Sequence, residues 1–97
     1  MIFPILKFQV QEESMKPFIS SGDVILVNRL SYLFKNPKIG DVVVIKNNKK
    51  KYLIKRIQRI REKTYFVVGD NKKQSIDSRN FGWIAKKDIV GKILFKI

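Results

Sequence analysis

The sequence predicts a mainly β protein, either a coiled antiparallel sheet or a small β-barrel, and three observations carry that expectation. Leu6, Phe8 and Val10 alternate with Lys7, Gln9 and Gln11, the period-two pattern of a half-buried strand. Val42 to Ile45 is a continuous apolar run, as expected of a strand covered on both faces. Turn signals separate the apolar runs at Ser20–Asp23, Pro37–Asp41 and Asn47–Lys51, leaving roughly six short strands.

Taken in order, the first strand ends near Glu12 and delivers the chain to Ser14. Pro17 stops regular pairing, and a turn through Gly22 leads into a second strand at Val24–Val27. Leu30 to Phe34 is short, apolar and ambiguous. After the Val42 strand, Asn47 to Lys51 closes a hairpin whose return strand runs from Tyr52 to about Arg61. On it Leu53, Lys55 and Ile57 share one face, and Tyr52, Ile54, Arg56 and Gln58 the other. Thr64 to Val68 forms a further strand. Gly69 to Gly82 is a long polar loop whose length invites a functional reading. Lys86 to Ile89 reads as a turn or helical corner before a last strand, Val90 to Ile97, and Trp83 reads as core.

A chain of 97 residues suits one domain, 1–97, and 44% hydrophobic with 30% charged residues describes a folded chain. The absence of cysteine and histidine removes disulfides, Cys/His zinc sites and every mechanism with a histidine base. Lysine is then the main remaining base, because burial or a neighbouring cation lowers its pKa. Glycine spacing fits no phosphate-binding loop, and no metal or other cofactor is expected. The net charge of +13 suits nucleic acid, anionic lipid or an acidic protein, or simply a solvated basic surface. No apolar run approaches the roughly 18 residues needed to cross a bilayer. The N-terminal MIFPILKF reads as a first strand, with an interfacial anchor or the remnant of a lost one as the alternatives.

Three segments carry a more specific signal: Ser14-Met15-Lys16-Pro17, Lys55-Arg56, and GDNKKQSIDSRNFG from Gly69 to Gly82. Alone, Ser14 reads as a turn or capping serine and Lys55 as one more surface lysine. In this order and spacing they resemble the signal peptidase I family, over about Glu13 to Lys92. The resemblance implies the β-rich catalytic core of signal peptidases and self-cleaving repressors, and a serine endopeptidase that cuts an extended peptide. It assigns Ser14 as nucleophile, Lys55 as the general base, and Ser75 as the hydroxyl that orients the lysine amine. Asp77 and Arg79 match an ion pair that braces the site. Gly69, Asp70 and Asn71 match the turn opening the loop, and Gly82 relieves its exit. Met15 and Pro17 flank the nucleophile, where Met15 offers apolar packing near substrate. A lysine between Leu53 and Ile57, beside Arg56 or Arg59, would be pushed below its usual pKa.

The chain also departs from the family. Some family members place a small hydroxyl or a glycine two residues before the nucleophile, whereas this chain has Glu12, expected to point outward. The glycine-rich turn that usually follows the lysine is missing, as is a large inserted subdomain. The size resembles short relatives such as the superoxide dismutase maturation proteases. The partners implied are a protein or peptide substrate and peripheral contact with an anionic membrane or a membrane-anchored protein. A cytoplasmic maturation protease is the other setting. Two other readings stand beside the peptidase. One is a non-enzymatic basic β-barrel that binds nucleic acid with Tyr32, Phe34, Tyr52 and Tyr65 as stacking platforms, and it leaves the polar loop unexplained. The other is an inactive peptidase-like binding protein.

Overall fold

The computed structural model describes residues 4–97, so the first three residues of the apolar N-terminal segment lie outside it. Seven strands form one antiparallel sheet: β1 (Ile5–Gln9), β2 (Val24–Asn28), β3 (Val42–Lys46), β4 (Tyr52–Arg61), β5 (Thr64–Val68), β6 (Ile84–Ala85) and β7 (Ile89–Lys96). Their order is β1-β2-β7-β3-β4-β5-β6. With β1 and β6 at the two edges the ladder stays open, so the coiled sheet and not the closed barrel is realised. Register shifts at Leu26/Val27, Val44/Ile45 and Ile57/Arg59 add local bend and twist to the strands, which curls the sheet.

The sheet is apolar on both faces. Val42 and Val44 of β3 join a cluster with Val10, Met15, Ile19, Ile25, Val27 and Ile54. Val43 and Ile45 join Leu53, Ile57, Tyr65 and Val67 on the other side. This double covering is the physical reason for the unbroken Val-Val-Val-Ile run. Gly91, on β7 opposite Val44, sits where a Cβ would come within 2.5 Å of the Asn28 carbonyl oxygen. Close backbone approach accounts for a glycine in mid-strand.

The hairpin between β3 and β4 closes at Asn47–Lys51, where the Asn47 N–H donates to the Lys51 carbonyl at 2.9 Å. Leu30 to Phe34 forms turns, and the corner before β7 is a short 3-10 helix, Lys86–Asp88. Two expectations need correction. β6 is a two-residue strand with too little pattern to read from sequence. Trp83 is half-buried outside both core clusters. It packs edge-on to Phe66 at 5.2 Å, with the Arg59 and Arg61 guanidinium groups over its ring.

Candidate active site

Ser14 lies in the turn that follows β1, where the next side chain, Met15, is anchored in the core at 1% exposure. Three contacts from the start of the polar loop fix this turn. The Asn71 N–H donates to the Ser14 carbonyl at 2.8 Å, Asn71 Nδ2 to the Glu13 carbonyl at 3.1 Å, and the Asp70 N–H to Met15 Sδ at 3.5 Å. Gly69 makes the approach possible, because a Cβ there would come within 2.6 Å of the Ser14 carbonyl oxygen. Pro17 is exposed just beyond.

Strand parity sets the position of Lys55. It pairs with Val43 across the β3–β4 ladder and shares its face with Leu53 and Ile57, so a strand rich in aliphatic residues carries its amine inward. Lys55 is fully buried, and its Nζ lies 2.9 Å from Ser14 Oγ. Burial pushes the amine below the usual lysine pKa; the Glu12 and Asp77 charges oppose that shift and the Arg79 charge adds to it. The assisting cation is therefore Arg79, and not Arg56 or Arg59 as expected. Arg56 emerges on the opposite face of β4, where Nε and Nη2 each donate at 2.9 Å to the two Asp70 carboxylate oxygens. Its Nη1 donates to the Gly40 carbonyl. The bulge after Ile57 breaks the parity that would have kept Arg59 beside Lys55, and the Arg59 guanidinium lies over Phe66, 4.6 Å from the ring centroid.

The loop is organised around Asp77, which is fully buried. Its two carboxylate oxygens accept from Gly69 N (2.9 Å), Ser75 Oγ (2.6 Å), Arg79 N (3.1 Å), Arg79 Nε (2.9 Å) and Arg79 Nη2 (3.0 Å). Burial alone would raise the pKa of this carboxyl, but the bonds from Arg79, Ser75 and Gly69 outweigh it and hold the group far below the ordinary carboxylate range. Asp77 also caps the short helix Ser78–Phe81, which ends at Gly82 with φ of 87°, a left-handed value that suits glycine. The Ser78 hydroxyl accepts from the Val67 N–H, tying this helix to β5. The Ser75 hydroxyl thus bonds to Asp77 and not to the Lys55 amine, contrary to expectation. It belongs to the brace.

A groove of about 460 Å³ runs past Ser14, walled by Phe8 to Glu12, Met15, Val44 and Lys51 to Ile54. Glu12, expected to point outward, is half-buried among the residues that line this groove, and its charge opposes the shift of the Lys55 amine. Among the described residues the Ser14 N–H has no hydrogen-bond acceptor, which leaves it available as a donor. A buried amine beside a hydroxyl, with a free N–H at the same residue, is an arrangement able to remove a proton and stabilise developing negative charge. No group of His, Cys, Asp and Glu suited to a metal occurs among the described residues.

The family model for signal peptidase, peptidase S26, matches residues 1–58 and 57–97. The chain belongs to this peptidase family. Signal peptidase I V of Bacillus subtilis is 27% identical over 139 aligned positions, covering 91% of this chain and 83% of that protein. Signal peptidase I of Bacillus caldolyticus is 25% identical, with 98% and 80% covered. The mitochondrial ATP-independent inner membrane protease subunit 1b of Arabidopsis thaliana is 30% identical, with 79% and 60% covered. An alignment of 139 positions against a chain of 97 residues means that the first relative carries segments with no counterpart here. The S26 assignment fits the β-rich sheet and makes the protein a peptidase.

Residue reading missed one part of the site and misplaced another. Arg56 anchors Asp70 and thereby the start of the loop; the signal was an arginine placed one residue from the lysine, hence on the far face. Glu12, singled out by its place two residues before Ser14 but expected to point outward, lines the groove in a segment that has already left the strand.

Proposed function

We propose that the protein is a serine endopeptidase that cleaves an extended peptide through a Ser14/Lys55 dyad and an acyl-enzyme. The observation that carries this reading is the 2.9 Å approach of Lys55 Nζ to Ser14 Oγ, both side chains being buried at the edge of the groove. A neutral Lys55 amine accepts the Ser14 hydroxyl proton as Oγ attacks the scissile carbonyl carbon, and the resulting ammonium returns that proton to the leaving amine. Water then gives a proton to Lys55 as it attacks the ester carbonyl, and Lys55 returns that proton to Ser14 Oγ as the ester bond breaks, which restores the serine hydroxyl and the neutral amine. The oxyanion is received by the Ser14 N–H. Asp77, Arg79 and Ser75 hold the loop against the serine turn, so they position the dyad without touching substrate. The peptide lies in the groove along the turn after β1, pairing with exposed backbone and placing alternate side chains against the apolar walls.

The relatives named signal peptidase I, and the thylakoidal processing peptidase 1 of Arabidopsis thaliana, point to signal peptides or N-terminal propeptides as substrates. A position at an anionic membrane surface fits the exposed Leu30, Leu33 and Phe34, which sit among Arg29, Lys35 and Lys38. No helix among the described residues is long and apolar enough to cross a membrane. The nucleic-acid reading is weakened because Tyr65 is buried and the Tyr32 hydroxyl is engaged with Asp41.

Incubating the protein with secretory precursors and N-terminally extended proteins, then sequencing new N-termini, tests the reading. Ser14→Ala and Lys55→Ala should each reduce cleavage by at least about a thousandfold, with the double variant no worse. A folded Lys55→Ala protein that keeps most of the activity would remove Lys55 as the base, and absence of any cleavage would favour the binding-protein reading.

A further inference from the structure

Within the groove that passes Ser14, two charged side chains occur among otherwise apolar or neutral walls: Glu12, half-buried and two residues from Ser14, and Lys51, exposed at the hairpin end of β4. Lys51 lies four residue steps from Lys55, about 13 Å at the usual strand rise, so the groove is acidic next to the Ser14/Lys55 pair and basic far from it. Glu12 has no ion-pair partner among the described residues; Glu13 beside it is held by Lys16 at 3.1 Å. A carboxylate in this position works against the reaction unless something compensates it. It opposes the negative charge that develops on the scissile carbonyl oxygen, and it draws the Lys55 amine toward its protonated form.

We propose that Glu12 is a specificity-determining residue, selecting substrates that carry a lysine or arginine next to the scissile bond. This deepens the endopeptidase reading and rests on it. The methylene stem of such a side chain packs along the apolar walls from Phe8, Val10 and Tyr52 while its charged end meets Glu12. The incoming cation then cancels the charge that opposes both the oxyanion and the neutral amine. Discrimination should therefore appear in kcat as well as in KM, because the compensation matters most in the transition state. Arg79 is engaged with Asp77 and Lys72, so it does not supply that cation to Glu12.

The test is a series of otherwise identical quenched peptides in which lysine, glutamine or glutamate is placed in turn at each of the three positions on either side of the cleaved bond. The wild-type protein should prefer lysine over glutamine at one of these positions by about two- to fivefold in kcat/KM, the scale of a partly exposed ion pair. Glu12→Gln should level that preference by improving cleavage of the glutamine peptide, and Glu12→Lys should invert it toward glutamate. Equal cleavage of all peptides by the wild type, or a lysine preference that survives Glu12→Gln, overturns the assignment. If the whole series resists the wild type while a precursor protein is cut, the selection does not operate on the bond-flanking residues and the assignment also falls. If neither is cut, the endopeptidase reading itself fails, which the precursor arm separates from the first case.

Discussion

Replacing Lys55 by methionine should make the protein more stable. The amine is fully buried, pairs across the sheet with Val43, and has Ser14 Oγ as its hydrogen-bonding neighbour. No carboxylate forms an ion pair with it among the described residues. Burial without an ion-pair partner costs free energy whenever the amine is charged, and replacing buried ionic groups by apolar side chains of similar volume gains about 1–4 kcal/mol. Methionine keeps the length of the side chain and adapts to the site, at the loss of one hydrogen bond worth about 1 kcal/mol. The net expectation is a gain of about 1–2 kcal/mol, which for a chain of this size is roughly 5–15 °C in Tm. The pH dependence gives an independent check. An unfolded lysine holds its proton up to a pKa of about 10.4, whereas the folded one releases it earlier. Between the two values the unfolded chain binds the extra proton, so wild-type stability rises with pH and the Lys55→Met advantage shrinks toward pH 10. Urea unfolding at pH 7 and pH 10 measures both. A Lys55→Met protein less stable than wild type at pH 7, or a gap that widens with pH, would refute the claim that Lys55 is a strained buried base.

Further outcomes follow from the loop and the surface. Gly69→Ala should displace the serine turn, because the added methyl meets the Ser14 carbonyl and the Ser75 side chain; peptide cleavage should fall far more than thermal stability does. Asp77→Ala should cost about 2 kcal/mol, less than a wholly buried pair because the Arg79 side chain is 39% exposed and can return to water. Asp77 has a depressed pKa, so its contribution is complete above the unfolded carboxylate value of about 3.9 and is lost as pH falls toward the folded one. Acid unfolding curves of variant and wild type should therefore converge below pH 4. The protein should also sediment with anionic but not neutral vesicles and be released by salt, since the Debye length is about 8 Å at physiological ionic strength; binding to both lipids that survives high salt would mean apolar insertion dominates.

Strand parity made much of the fold legible. The bounds of β4 and β5 follow from alternation and from flanking turns, and parity alone turns Lys55 inward with Leu53 and Ile57. What parity does not contain is which segment covers that face. The approach of the Ser14 turn, the clamp of Asp77 on Gly69 and the contact of Ser75 with Asp77 instead of Lys55 all depend on how a fourteen-residue polar loop folds back, and side chains with several donors have several ways to do so. The Ile57 bulge is equally silent in the sequence, since no glycine marks it, and it moved Arg59 away from the amine. Glu12 escaped because strand alternation had already ended when the chain reached it.

The insertion of β7 between β2 and β3 has a consequence for how the site is held together. Ser14 follows β1 and Lys55 belongs to β4, and in the hydrogen-bonded ladder these two halves of the sheet are joined only through residues 89–96. Off the ladder the serine turn is tied a second time, by Asp70 and Asn71, so the 2.9 Å spacing of Ser14 and Lys55 answers to two separate clamps, one at each side of the turn.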